Sequence, residues 1–179
     1  MVTATIISDN LALEESVTEP PDNMELVDGK LVEKNGMTLK TGKIQLRLAR
    51  YWGDYKDSSG QGGEAYVEVP CRTSQQIRRP DVAYLTPELV AQFGNLATLP
   101  QSFPLIAEIV SPTDIAEDVF LKAQEYLASS CQEVWLVFPE SCLIFVMTQE
   151  RIVTFRSGDT ASTQQILLGC SIEVDRLLA

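Results

Sequence analysis

Residues 103–127 read FPLIAEIVSPTDIAEDVFLKAQEYL, and the rest of the sequence is best understood from this stretch. Its first part, from Leu105 to Val110, is a short apolar run typical of a strand that is buried on both faces. Glu108 interrupts the run, and a carboxylate at such a position is costly to bury unless another group pairs with it or binds it. The sequence therefore predicts a central strand that carries one charged side chain.

The second part of the stretch supplies a partner for that charge. A turn of about 100° per residue from residue 115 onward predicts an amphipathic helix, whose apolar stripe contains Val119, Ala123 and Tyr126. Lys122 falls inside this stripe, and two acidic residues fall on its edge. The strand and the helix are therefore each expected to direct one charge toward the layer where they pack together.

Two interpretations of this pair are open. Glu108 and Lys122 can form a buried ion pair that serves only the fold, or the lysine can extend its ammonium past an apolar stem into solvent. Alternatively, both residues belong to an active site, because perturbed ionisable groups cluster at such sites. A second carboxylate at the same place would favour the active site.

The composition limits the chemistry available to the chain. With 179 residues, of which 45% are hydrophobic, the chain is expected to form one globular domain. No apolar run approaches the ~20 residues of a membrane span. Histidine is absent, which excludes Ser-His-Asp triads, Cys-His pairs and a histidine general base. The four cysteines are scattered, so reduced and mostly buried thiols are expected rather than a zinc site.

The charge and the N-terminal sequence bear on partners and location. A formal net charge of −11 argues against strong non-specific binding of nucleic acid by the chain as a whole, although a local basic face is compatible with it. Residues 1–23 are predicted to be a mobile acidic arm, followed by a single domain over residues 24–179. The N-terminus has neither the basic region nor the long apolar region of a secretory signal, so a cytoplasmic location without membrane association is expected.

The remaining elements follow from local patterns. Asp28-Gly29 predicts a tight turn, and Thr86-Pro87 predicts the start of a helix. Asp114 is expected to cap the helix of the opening stretch, with Glu117 three residues later. The predicted elements are a hairpin over 24–33, an amphipathic helix over 38–55, strands over 64–71, 77–85 and 134–138, a hairpin of 142–148 with 151–156, and a last strand over 164–168. The apolar positions of the helix are Leu39, Ile44, Leu46, Leu48 and Trp52. In the strand over 64–71, the residues on one face are Ala65, Val67, Val69 and Cys71. This order predicts an α/β fold with a central mixed sheet flanked by helices.

A second carboxylate lies within one of these strands. Pro80 cannot donate a hydrogen bond to a sheet, so it marks an edge, a bulge or a bend, and Asp81 follows it directly. Two carboxylates from neighbouring strands can hold one Mg²⁺ or Mn²⁺ ion, which prefers oxygen ligands and keeps several waters. A nearby ammonium such as Lys122 can then orient or activate a nucleophile.

The same residues carry a resemblance to a known family. In their order and spacing, over roughly residues 24–178, they resemble the Uma-type family of restriction-endonuclease-like proteins, long catalogued as a domain of unknown function. The matching motifs are Glu25 to Leu31, Pro80-Asp81, Glu108 to Pro112, Lys122 with Tyr126, and Val134 to Pro139.

The resemblance implies the PD-(D/E)xK nuclease core and metal-dependent hydrolysis of DNA phosphodiester bonds. It implies Asp81 and Glu108 as metal ligands, together with the backbone carbonyl of Ile109. Val110 stands where the plain pattern has its lysine, so Lys122 would supply the amine, and Glu25 is an accessory candidate that could equally well only open the hairpin. The family often has a histidine after the hairpin, and this sequence has none there.

The residues and the resemblance together lead to two hypotheses. The first is a Mg²⁺- or Mn²⁺-dependent DNA endonuclease, in which a homodimer would bring two sites to the two strands. The second is an interaction protein that keeps the fold without the reaction, with Glu108 and Lys122 as a structural pair. Basic residues of the 40–50 helix and of the nearby strands are the candidates for binding DNA, although a solvated helix face would explain the helical ones as well. These candidates are Lys40, Lys43, Arg47, Arg50, Arg72, Arg78 and Arg79.

Overall fold

The computed structural model describes residues 19–34 and 36–179. Most of the predicted N-terminal arm, residues 1–18, lies outside the described residues. The elements, in chain order, are β1 Met24–Val27, β2 Lys30–Glu33, α1 Leu39–Ser58, β3 Glu64–Val67, β4 Cys71–Arg72, β5 Ile77–Arg78, β6 Val82–Leu85, α2 Pro87–Phe93, β7 Leu105–Ile109, α3 Ala116–Leu127, β8 Glu133–Phe138, β9 Leu143–Met147, β10 Ile152–Arg156, β11 Thr160–Ser162, β12 Ser171–Glu173 and α4 Val174–Leu178.

A mixed sheet of six strands, in the order β10-β9-β8-β7-β6-β3, forms the centre of the molecule. Among the described strands of this sheet, only β7 and β8 run parallel, and α3 provides the crossover between them that a parallel pair requires. The helix α1 covers one face of the sheet, where the Trp52 and Trp135 rings meet edge to face at 6.0 Å. The helix α3 covers the other face with Ala123, Tyr126 and Leu127. The predicted α/β fold with a central mixed sheet flanked by helices is confirmed.

The alternation of side chains along β7 decides which face each residue meets. Leu105, Ala107 and Ile109 pack in the cluster on the α1 side, whereas Ile106 packs on the α3 side. Glu108 follows the alternation of Ile106, so its carboxylate points toward α3. This is the helix that carries Lys122, as the periodicity of the two segments predicts.

A second, smaller sheet of four strands, in the order β2-β1-β5-β4, packs beside the central one. Its β1-β2 hairpin turns at Asp28 and Gly29, whose φ angles of 49° and 70° are those of a left-handed two-residue turn. The side chain of Gln76 holds the turn, because its Oε1 accepts the N–H of Asp28 at 2.7 Å. The predicted hairpin is therefore present, and it brings Glu25 to the edge of the central sheet.

The two predicted strands before β7 are shorter than expected. The predicted strand over 77–85 divides at Arg79-Pro80-Asp81 into β5 of the small sheet and β6 of the central sheet, because Pro80 cannot continue the ladder. The predicted strand over 64–71 ends at Val67, since Glu68 takes a left-handed φ of 55° and turns the chain away. Val67 is 47% exposed on this edge strand.

Three other details of the sequence prediction are wrong. Leu39 and Leu46 are 96% and 69% exposed, since the buried side of α1 follows the four-residue spacing of Ile44, Leu48 and Trp52. Asp114 does not cap α3 with its side chain but accepts the N–H of Ser111 at 2.8 Å. Residues 164–168 form a loop instead of a strand.

The expectation of reduced, mostly buried cysteines agrees with the structure. The four cysteines are free thiols, of which three are buried. Within the described part of the chain, no helix combines the length and the apolar character needed to cross a bilayer.

Candidate active site

A cleft of about 990 Å³ opens where β6 begins and β7 ends, between the β1-β2 hairpin and α3. Among its described lining residues, ten are acidic and four are basic. The acidic ones are Asp22, Glu25, Asp28, Glu33, Glu68, Asp81, Glu108, Asp114, Asp118 and Glu125, and the basic ones are Lys34, Arg78, Arg79 and Lys122. The cleft is therefore an acidic environment in which a few cations are placed individually.

Asp81 and Glu108 lie opposite each other in this cleft. Strands β6 and β7 are antiparallel with Val82 paired to Ala107, so the residue before Val82 stands across from the residue after Ala107. The Oδ2 atom of Asp81 accepts the N–H of Ile109 at 2.7 Å, which fixes the carboxylate against the end of β7. The register of the sheet thus brings together the two acids that the sequence pattern indicates.

Glu108 is held by two groups of α3. The Nζ of Lys122 lies 3.0 Å from its Oε1, and the hydroxyl of Tyr126 donates to the same oxygen at 2.8 Å. Burial raises the pKa of Glu108 to about 7, and the adjacent Lys122 ammonium opposes this effect only in part. The carboxylate is therefore oriented toward the cleft but poorly solvated, and a bound cation would compensate for the missing solvation.

Lys122 bridges two carboxylates. Its Nζ contacts Oε1 of Glu25 at 2.8 Å in addition to Glu108. Burial acts to lower the pKa of Lys122, but the charges of Glu108 and Glu25 outweigh it and raise the pKa above its ordinary value. Lys122 is accordingly a protonated donor in this state, able to hold a ligand oxygen or to stabilise negative charge.

Glu25 both opens the hairpin and reaches the site, although the sequence left these two possibilities open. Its Oε1 accepts the backbone N–H of Arg79 at 2.9 Å, and its Oε2 pairs with Arg78 at 3.2 Å. Burial acts to raise the pKa of Glu25, but Lys122 and these donors outweigh it and lower the pKa. Glu25 therefore stays ionised and fixes Lys122 in position.

The residues that surround Asp81 in the cleft include Lys34, Gln45 and Glu68, which are not predicted from the sequence. The Nζ of Lys34 lies 2.9 Å from Oδ1 of Asp81 and 2.7 Å from Oε2 of Glu68. Gln45, buried on α1, donates to Oε1 of Glu68 at 3.1 Å and to the carbonyl oxygen of Asp81 at 2.8 Å. Lys34 is a charged residue directly after the predicted hairpin, and Gln45 is a polar residue on the apolar side of α1. These two features are the only sequence signals that could have indicated them.

Several of the basic residues predicted to bind DNA are engaged within the protein. Arg78 pairs with Glu125 and Glu25, and Arg79 donates to backbone carbonyls, including that of Glu68. The helical residues pair outside the cleft, Lys40 with Glu140 and Arg50 with Asp54, while Arg47 donates to the carbonyl oxygens of Leu177 and Ala179. Lys43 is exposed on α1, and Arg72 lies in β4 beside a second, smaller pocket.

The donor set fits a hard divalent cation. Asp81 and Glu108 supply carboxylate oxygens from adjacent strands, and the carbonyl of Ile109 follows directly on the same strand end. Within residues 19–34 and 36–179, no group of three or more His, Cys, Asp or Glu side chains is arranged to hold a metal ion. A Mg²⁺ ion typically uses one or two carboxylates and keeps its remaining waters, so two acids and a carbonyl are sufficient.

The mixed sheet between two helices is a fold that this chain shares with a protein of solved structure. This neighbour is described as "a putative nuclease belonging to DUF820" from Anabaena variabilis ATCC 29413. The two structures agree with a TM-score of 0.80 at 17% sequence identity, over 92% of this chain and 94% of the other. No curated protein matches the chain in sequence.

The chain belongs to the Uma2 family, which is described as "Putative restriction endonuclease", because the sequence profile of that family matches residues 7–175. The resemblance that the sequence motifs indicated is thereby confirmed. The match also extends into the segment predicted to be a mobile arm.

Proposed function

We propose that the protein is a DNA endonuclease that depends on Mg²⁺ or Mn²⁺. The proposal rests on one observation above all: Asp81 and Glu108 face each other across adjacent strands while Lys122 contacts Glu108 at 3.0 Å. Membership of the Uma2 family and the nuclease-like fold support it. Under this proposal, DNA is the substrate and the phosphodiester bond is cleaved by water.

Each residue has a role that follows from its contacts. Asp81 and Glu108, with the carbonyl of Ile109, would hold the divalent ion, which activates a water and offsets charge on the scissile phosphate when bound. Tyr126 donates to Glu108 and thereby fixes the carboxylate that would bind the ion. Lys122, as a fixed ammonium, would stabilise negative charge on the phosphate, and Glu25 would position it.

A second function is favoured by a different observation. The described lining of the cleft carries ten acidic and four basic residues, which repels a polyanion unless cations are bound. This charge favours an interaction protein that retains the fold without catalysis, with Glu108 and Lys122 as a structural ion pair. The two functions differ in one measurable respect, since only the first predicts cleavage that requires a divalent ion.

Cleavage of supercoiled plasmid distinguishes the two functions. We expect the wild-type protein to nick the plasmid in Mn²⁺ or Mg²⁺ and to be inactive in EDTA. Asp81→Asn should reduce the rate by at least about a hundredfold, because the negative charge that holds the ion and one of the two carboxylate oxygens are lost. Asp54→Asn is the matched control, since Asp54 is exposed and pairs with Arg50 outside the cleft.

Two outcomes would contradict the nuclease proposal. One is a wild-type protein that leaves plasmid intact over a range of divalent ion concentrations, and the other is Asp81→Asn cleaving at the wild-type rate. A homodimer that brings two sites to one duplex stays a prediction, and sedimentation of the purified protein with and without DNA tests it.

A further inference from the structure

Lys34 occupies an unusual position in the cleft. Its Nζ donates to three oxygens: Oε2 of Glu68 at 2.7 Å, the carbonyl of Arg79 at 2.8 Å and Oδ1 of Asp81 at 2.9 Å. The lysine side chain is only 13% exposed. Two carboxylates and one carbonyl, arranged around a single cation, are the oxygen types that bind a hard metal ion.

Two irregular stretches of backbone, at Glu68 and at Arg79, bring hydrogen-bond acceptors to Lys34. Glu68 takes a left-handed φ of 55°, which ends β3 and turns its carboxylate toward the cleft. The carbonyl of Arg79 comes from the break between β5 and β6, one residue before Pro80. Gln45 donates to the other oxygen of Glu68 at 3.1 Å, so this carboxylate is held from two sides.

We propose that Lys34 is a positioning residue whose ammonium takes the place of a second metal ion beside Asp81. Nuclease sites with two ions hold them about 3.5–4 Å apart. In this protein Asp81 would be the shared carboxylate, with the lysine ammonium on Oδ1 and the single divalent ion held jointly with Glu108. This inference rests on the proposed metal site and adds to it the number of ions that the site accepts.

The arrangement has a direct consequence for metal stoichiometry. While Lys34 is present, Glu68 and Oδ1 of Asp81 share one positive charge that cannot diffuse away. Removal of the lysine leaves Glu68, Asp81 and the Arg79 carbonyl as an oxygen site without its cation. A second divalent ion can then replace the ammonium.

The test is the number of Mn²⁺ ions bound per chain, measured by calorimetry and by the magnetic coupling of neighbouring Mn²⁺ ions in electron paramagnetic resonance. Lys34→Ala should bind one ion more than the wild-type protein. Glu68→Leu in the Lys34→Ala background removes both oxygens of that carboxylate and should return the number to that of the wild type. Lys34→Gln is the second variant in case the alanine form does not fold, because the glutamine amide oxygen is itself a ligand for a hard cation.

The control is Lys56→Ala, which removes the same charge from a lysine that pairs with Asp57 and Glu64 at the far end of α1. Its ion number should equal that of the wild type. An unchanged number in folded Lys34→Ala and Lys34→Gln overturns the inference, as does the same increase in Lys56→Ala. The number of Mn²⁺ ions bound by the wild-type protein tests the proposed function separately. A wild-type protein that binds no Mn²⁺ contradicts the metal site, whatever the Lys34 variants do.

Discussion

Lys122→Met should lower the rate of plasmid cleavage by about a thousandfold while leaving Mn²⁺ binding intact. The ammonium contacts Glu108 and Glu25 directly, and loss of one charge-stabilising or proton-transferring group typically costs 10²- to 10⁴-fold in rate. Metal binding should survive because Asp81 and Glu108 keep their oxygens, and because a positive charge next to the ion has been removed.

The same substitution should also destabilise the protein. Glu25 and Glu108 would be left buried without their shared cation, and breaking a buried pair from one side typically costs about 3–5 kcal/mol. Thermal melting therefore has to accompany the cleavage assay, at a temperature where the variant is folded. Lys56→Met is the matched control, since its side chain is also only 12% exposed but its ammonium pairs outside the cleft.

The experiment distinguishes the possible roles of Lys122 because it measures cleavage and stability separately. A purely structural role for Lys122 predicts lost stability with no change in metal-dependent cleavage by the folded fraction. Cleavage at the wild-type rate in folded Lys122→Met would remove the lysine from the proposed mechanism.

Glu133→Ala should lower the free energy of unfolding by at least about 3 kcal/mol, the largest stability effect expected outside the cleft. Glu133 is completely buried at the start of β8, and its Oε1 accepts the indole N–H of Trp135 at 2.7 Å. Its Oε2 accepts the backbone N–H groups of Gln164 and Gln165, both at 2.8 Å. Hydrogen bonds to a charged group contribute roughly 1.5–3 kcal/mol each, and their loss leaves the buried indole N–H and two partly buried amides without this partner.

Chemical denaturation and thermal melting both measure this effect. For a chain of this size, a loss of about 3 kcal/mol corresponds to a decrease in Tm of roughly 10 °C. Glu150→Ala is the control, because Glu150 is exposed in the turn between β9 and β10. A decrease below about 1 kcal/mol for Glu133→Ala would show that other groups or water satisfy the three donors.

Glu133 also explains where the sequence prediction failed near the C-terminus. The stretch Gln164 to Leu168 has the composition of a strand, but its first amides turn toward the Glu133 carboxylate and cannot enter a ladder. The carboxylate lies 31 residues earlier in the chain than Gln164. A pattern confined to a short window carries no information about such a distant acceptor.

The predicted placement of Glu108 and Lys122 toward each other is confirmed, and the reason is the opposite one. Both positions follow from the period of their own element, because the alternation in β7 and the turn of α3 fix the face on which each side chain stands. The β7-α3-β8 crossover then forces these two faces together. Asp81 could be added to the predicted site residues because Pro80 marks the strand break beside it.

Lys34 and Glu68 could not be predicted from the periodicity of their own elements. Their ion pair joins positions 34 residues apart, and it depends on the left-handed turn at Glu68 rather than on a repeating pattern. The ion pair of Arg78 with Glu125, 47 residues away, could not be predicted for the same reason. Sequence periodicity therefore predicted where Glu108 and Lys122 lie, and Pro80 indicated Asp81, while the surrounding charge network required the three-dimensional structure.

The most direct test of the metal site is calorimetric titration of Mn²⁺ into the wild-type protein and into Glu108→Gln. The substituted amide has the shape of the carboxylate and can still accept a hydrogen bond from Tyr126, so the fold should be retained. We expect the wild-type protein to bind Mn²⁺ and Glu108→Gln to bind it at least about a hundredfold more weakly. Equal binding by the two proteins, or no binding by the wild type, would contradict a metal site at Asp81 and Glu108.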